Sequence, residues 1–144
     1  MIELIIIPLL VGASAQIIKL SIDNIPNNLT WQHFFNDYGG WPSSHAAFVA
    51  SLMTALILKD GVNSPALAVA FILLLVVIRD AMGFRREIGK NAVLTNAIAR
   101  EIFKGKNQPK LLTERIGHNF SEVLAGLILG VALTIFLYWL MLIL

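Results

Sequence analysis

The chain has 144 residues, of which 57% are hydrophobic and 14% charged, with a mean hydropathy of +0.75 and a formal net charge of +2. Soluble domains carry about one-quarter charged residues, so this balance excludes an ordinary water-soluble globule and indicates an integral, multi-pass membrane protein. The absence of cysteine excludes disulfides.

A membrane span needs roughly 20 apolar residues, fewer where the bilayer thins or an end is buried in protein. The first candidate runs from about Ile2 to Ile18 and ends at Lys19. Ala13-Ser14-Ala15 imitates a leader cleavage site, but the early charge is Glu3 where a leader wants lysine or arginine, so the segment is expected to be a retained span. A polar loop follows from Ser21 to Gly40, with Asn24, Pro26, Asn27, Asn28 and Asp37. The second span is expected from about Pro42 to Leu58, ending at Lys59-Asp60. After Gly61-Val62-Asn63, Ser64 reads as an N-cap and Pro65 as the first residue of a third helix, apolar to Ile78 and extendable through Arg79-Asp80.

A basic region from Arg79 to Arg115 comes next. Within it, Ile88 to Phe103 places Leu94, Ile98 and Ile102 at helical spacing, flanked by Lys90, Arg100 and Lys104, as in an amphipathic helix lying at the membrane interface. Gly105 to Pro109 should break that helix, and the last span runs from about Asn119 to the end. The expected fold is all-α: an integral membrane helical bundle of about four transmembrane helices plus one interfacial amphipathic helix, forming one membrane-embedded domain over 1–144.

With four spans, both long polar segments fall on one side of the membrane. Lys19, Pro42 to His45, Arg79, Asp80, Arg85, Arg86 and His118 then share that face, and Lys59 alone among the lysines and arginines lies on the other. The positive-inside rule makes this face cytoplasmic, although a phosphate site and an anionic lipid surface recruit basic residues for their own reasons.

The chemistry concentrates at two helix mouths. In Gly39-Gly40-Trp41-Pro42-Ser43-Ser44-His45, glycine amides can form an anion nest, serines add hydroxyl donors, and a helix N-terminus offers unpaired N–H groups. Histidine can carry a proton near neutral pH. The ordinary alternative is plain helix starting, with Pro42 at the first helical position and a serine near the cap. At the second mouth, His118 and Glu122 are four residues apart and share a helix face, so the carboxylate can hold one ring nitrogen and leave the other as a nucleophile. Asn119 with Glu122 equally fits a capping box, in which Glu122 serves only the backbone.

Lys19, Arg79, Arg85 and Arg86 are the cations available for a phosphoryl group. For Lys19 the commoner role is snorkelling at a span end, and Arg85 and Arg86 could be plain positive-inside residues. Arg79 and Asp80 fall near membrane depth, where charges usually face a protein interior and mark function, unless they simply pair with each other. A metal held by His45, Asp80, His118 and Glu122 is conceivable, but no ligand spacing supports it and the glycine-serine loop suits an anion better.

Taken together these residues resemble the type 2 phosphatidic acid phosphatase superfamily, related to the vanadium-dependent haloperoxidases. Its Pro-Ser-Gly-His motif is matched by Pro42-Ser43-Ser44-His45, with Ser44 in place of glycine. The end of its arginine-histidine-aspartate motif resembles His118 to Gly126, with Glu122 in place of aspartate. The chain looks most like the short, divergent branch labelled acid phosphatase/vanadium-dependent haloperoxidase-related, where the Gly39 to Ala46, Asp80 to Gly89 and Gly117 to Gly126 stretches are familiar. It departs from the superfamily at the lysine-arginine motif, since Pro26 stands where an arginine is expected after Lys19, and Arg115 lies only three residues before His118.

The resemblance implies a metal-independent, two-step phosphatase with no cofactor. His118 attacks phosphorus, Glu122 orients it, and protonated His45 serves the leaving group. Gly40, Ser43 and Ser44 bind phosphate oxygens with Lys19, Arg85 or Arg86 as clamp, and Arg79 and Asp80 in support. The implied partners are a lipid phosphate or prenyl (pyro)phosphate substrate and membrane lipids, not nucleic acid, with a homo-oligomer left open. A non-catalytic membrane module that binds phospholipid headgroups through the basic face is the competing class. It needs no intact histidine pair. A transporter is weaker still, because four short spans leave little room for alternating access.

Overall fold

The computed structural model describes residues 1–22, 39–104 and 109–143, and among these every regular element is a helix. In chain order they are α1 (Glu3–Ile22), α2 (Ser44–Asp60), α3 (Pro65–Arg79), a π-helical turn (Asp80–Phe84), α4 (Arg85–Phe103) and α5 (Phe120–Ile143). Most of the polar loop between Ser21 and Gly40, Pro26 included, and most of the Gly105 to Pro109 break lie outside the described residues.

Three helices are long and apolar enough to cross a membrane: α1, α5, and the continuous run Pro65–Phe103. The fourth expected span, α2, is 17 residues long, about 25 Å at 1.5 Å per residue. It sits at the centre of the bundle, packed against α1, α3 and α5. A helix covered on several sides by protein has no need of a full-length lipid-facing surface, which is how a short, alanine-rich segment serves here. Its first residue is Ser44 with Ser43 as N-cap, so Pro42 lies outside the helix and not at its first position.

The α2–α5 seam is built from small residues. A Cβ on Gly126 would stand 2.3 Å from the Ser43 carbonyl oxygen, and one on Gly130 would stand 2.4 Å from that of Ala47. Gly126, Gly130 and Thr134 recur every four residues and form one stripe, against which Ser43, Ala47 and Ser51 form another. In lipid, helices associate through close packing and interhelical hydrogen bonds, and such stripes bring backbones together. Thr134 Oγ1 lies 2.5 Å from Ser51 Oγ and 2.7 Å from the Gly130 carbonyl oxygen, both side chains being fully buried. One proton per hydroxyl makes this a relay that ends on a backbone acceptor.

Beside this seam, Ile7, Val11 and Ala15 of α1 pack with Ala47 and the partly buried Leu129, Leu133 and Leu137 of α5. Lys59, at the end of α2, pairs with Glu3 at the start of α1 at 2.7 Å. This ties the bundle at the end opposite the two helix mouths, so α1 and α2 run antiparallel.

The amphipathic segment does not start a new element. It continues α3 through the π-turn, where the Arg85 N–H bonds the Asp80 carbonyl five residues back. Ile88, Leu94, Ile98 and Ile102 are exposed along α4, while Gly89, Ala92 and Asn96 are buried on its other side. Lys104 ends the helix in the left-handed conformation, φ 42°.

Candidate functional site

The site is assembled where the 114–119 segment crosses the start of α4. Asn96, 2% exposed, fixes that segment from below. Its Nδ2 donates to the Leu112 carbonyl and to Glu114 Oε1, and its Oδ1 accepts from the Leu112 N–H, each at 2.8 Å. Gly89 lets the segment touch the helix, since a Cβ there would be 2.7 Å from the Ile116 carbonyl oxygen. Gly117 turns the chain with φ +89°, and a Cβ on it would meet the Arg86 nitrogen at 2.5 Å. Only glycine suits both the conformation and the space. Gly39 closes the same crossing from above: its N–H donates to the Arg115 carbonyl at 2.9 Å.

The π-turn then anchors the histidine. Widening from i+4 to i+5 hydrogen bonding leaves one carbonyl outside the helix's own ladder. The Ala81 carbonyl accepts from the His118 N–H at 2.9 Å, which sets the start of α5 against the end of α3. Ser43 completes the join, its N–H donating to the Glu122 carbonyl at 3.0 Å.

His118 is 7% exposed, and its Nδ1 lies 2.9 Å from Glu122 Oε2. The same Oε2 accepts from the Asn119 N–H at 3.1 Å. The capping role and the histidine-holding role, alternatives in the sequence, are thus carried by one carboxylate oxygen. Donation from Nδ1 fixes the tautomer and directs the Nε2 lone pair away from the carboxylate. The His118 pKa lies below its ordinary value. Burial is the main cause, and the positive charges of Lys19 and His45 push the same way while the Glu122 hydrogen bond opposes them. At neutral pH this imidazole is uncharged, the form that can act as a nucleophile.

A cavity of about 200 Å³ opens beside this pair, lined by Gly39, Arg86, Arg115, His118, Asn119 and Glu122 among others. It is small and polar, with two guanidinium-bearing residues at its edge. Among the described residues, no group of three or more His, Cys, Asp or Glu is placed to hold a metal ion.

Lys19 is 3% exposed and near His118, so it is a buried cation within the bundle and not a snorkelling one. His45 is exposed in the first turn of α2 and close enough to perturb His118. Ser43 is fully buried and its Oγ accepts from the Ala46 N–H at 3.4 Å, which is helix capping. Ser44 is half-buried at the start of α2, and Gly40 is buried with a positive φ. Asp80 pairs with Arg85 Nε at 2.5 Å, not with Arg79. Arg79 lines a separate groove along the end of α3 and the π-turn.

Sequence reasoning gave no role to Asn96 and passed over Arg115 as too close to His118. An arginine whose side chain can fold back over a glycine turn needs no fixed distance from the histidine. Gly117 was the available signal for that turn.

The uncharacterized membrane protein YuiD of Bacillus subtilis (strain 168) is 35% identical to this chain, the match covering 85% of each. No solved structure matches the chain. The model of one protein family, described as the Divergent PAP2 family, matches residues 2–133, nearly the whole bundle with both helix mouths, and to that family this protein belongs.

Proposed function

We propose that this protein is a membrane phosphatase that hydrolyses a lipid phosphate or prenyl (pyro)phosphate through a phosphohistidine on His118. The observation that carries the reading is the buried His118, held through Nδ1 by Glu122 beside a cavity edged by Arg86 and Arg115, with burial holding its pKa below the ordinary value. A neutral imidazole fixed in one tautomer next to two cations suits nucleophilic attack on a phosphoryl group.

In the first step Nε2 of His118 bonds to phosphorus and the bond from phosphorus to the lipid oxygen breaks. Protonated His45 gives its proton to that leaving oxygen. Glu122 stabilises the positive charge that develops on the ring. In the second step water, deprotonated by His45, attacks phosphorus, the P–N bond breaks, and inorganic phosphate leaves. Arg86 and Arg115 act as the clamp on the non-bridging oxygens, with Lys19 adding long-range positive charge. Arg85, neutralised by Asp80, is the weaker candidate for that role. Ser43 acts through structure, and Ser44 and the Gly40 backbone bound the mouth. The site faces the cytoplasm, as the charge asymmetry suggests.

The test is phosphate release from a panel of lipid phosphates in detergent, with chelator and with orthovanadate, for the wild type and His118→Ala. Release that resists chelator, is inhibited by vanadate and is abolished by the substitution supports the reading. Headgroup binding that survives His118→Ala with no phosphate release from any lipid would favour the non-catalytic lipid-binding alternative.

A further inference from the structure

A second cavity, of about 560 Å³, lies on the adjacent face of the π-turn and includes Leu75, Ile78, Arg79, Met82, Gly83 and Phe84 in its lining. We propose that it seats the hydrocarbon chain of the phosphorylated lipid whose headgroup enters the His118 cavity; this rests on the phosphatase reading above.

Three independent features point to that occupant. The first is Gly83. A glycine within a helix costs roughly 0.5–1 kcal/mol relative to alanine, so it usually has a packing reason. The other described glycines inside helices have one, with neighbours 2.3 to 3.2 Å from an added Cβ at Gly12, Gly89, Gly126 and Gly130. An added Cβ at Gly83 meets nothing within 4 Å among the described residues beyond its own helix backbone, and φ is not positive. Its missing side chain serves no contact among the described residues; it keeps the groove open.

The second is the polarity of the groove along its length. The lower wall, Leu75 and Ile78, belongs to the apolar run of α3, and the upper end reaches Glu87, which pairs with Lys90 at 2.6 Å. Arg79 stands between them, exposed, with no ion pair among the described residues. A cation that continues an apolar run is costly in lipid unless an anionic group meets it. An amphiphile with its tail along Leu75 and its negative head near Arg79 meets both demands.

The third is adjacency. Arg86 lines the phosphate-sized cavity and the next residue, Glu87, lines the groove. Successive residues of an α-helix point about 100° apart, so the two cavities occupy neighbouring faces of one stretch of helix. A single lipid can lie in one and present its phosphate to the other.

The experiment uses the full-length protein in detergent. Gly83→Leu fills the groove at a position where an added Cβ meets no neighbour among the described residues, and Leu75→Trp narrows it from its other end at an exposed position. Each is assayed on a long-chain lipid phosphate and on a short, water-soluble phosphate ester. We expect kcat/KM for the long-chain substrate to fall about tenfold or more, as several methylenes lose their seat, with the short ester unchanged. Unchanged turnover of both, or equal loss on both, overturns the proposal.

Photolabelling keeps the test independent of turnover. A lipid phosphate with a diazirine in its tail, applied to His118→Ala, should label the Leu75 to Phe84 stretch, and Gly83→Leu should abolish that label. Labelling there with no phosphate release in the wild type would sink the phosphatase reading and leave a lipid seat. Phosphate release with labelling confined to other helices would sink the seat and leave the phosphatase.

Discussion

The His118 N–H reaches across the bundle to the Ala81 carbonyl at 2.9 Å, so the candidate nucleophile is docked on the one turn where the long helix departs from α geometry. That contact makes the Ala81 carbonyl a support of the site. The same turn provides the Asp80–Arg85 pair on one side and the open Gly83 floor on another.

Two glycines on either side of this join should respond oppositely to alanine. Gly117→Ala puts a Cβ at φ +89° and 2.5 Å from the Arg86 nitrogen, which pushes the His118 segment off α4. Phosphate release should be lost and thermal unfolding in detergent should shift down by several degrees. Gly83→Ala meets no neighbour among the described residues and should leave stability equal or raise it by about 0.5–1 kcal/mol. A matching loss in both variants would contradict the packing described.

Glu122→Gln separates capping from catalysis. Glutamine still accepts from the Asn119 N–H, so folding should persist, while turnover drops because the imidazole loses its charged partner. Full turnover in this variant would reduce Glu122 to a helix cap.

The pH dependence follows from the depressed pKa of His118. Its neutral, reactive form persists below the ordinary value of 6.5, so the rising limb of kcat/KM should lie on the acid side of that value. Glu122 raises this pKa and Lys19 lowers it. Glu122→Gln should therefore move the limb further down and Lys19→Met should move it up. Shifts in the same direction would refute the assignment of the limb to His118.

Arg86 and Arg115 edge the cavity, whereas Arg85 is tied to Asp80. Arg86→Gln and Arg115→Gln should each lower kcat/KM on the order of 100-fold, the usual scale for losing one transition-state donor. Arg85→Gln should cost clearly less, and a loss equal to theirs would move the clamp to Arg85. Steady-state kinetics on one soluble phosphate ester suffices for the comparison.

Thr134→Val tests the seam away from the site. It removes the relay between Ser51 and the Gly130 carbonyl while keeping the volume, and buried interhelical hydrogen bonds of this kind are worth about 0.6–2 kcal/mol. Unfolding in detergent should shift by that scale with catalysis per folded molecule unchanged.

The apolar runs, the polar breaks and the Ser64-Pro65 start were legible in the sequence because hydropathy and helix caps are local properties. Local too was the His118–Glu122 pair, four residues apart on one turn. Topology brought the helix mouths to one face without any knowledge of packing. What the tertiary structure decided was each group's partner. Asp80 takes Arg85 and not Arg79 because adjacent helical residues point apart while the wider π-turn brings the fifth residue on round to Asp80, and no hydropathy pattern encodes a single inserted residue in a helical ladder. Lys19 is buried because α1 packs its last turns against the bundle, which an apolar run ending in lysine leaves undetermined. Asn96 and Arg115 gained their places from contacts between segments distant in sequence, 112–114 against α4 and Gly39 against Arg115. Such a contact depends on the absence of side chains at Gly89, Gly117 and Gly39, and that becomes visible only when the backbones are laid against one another.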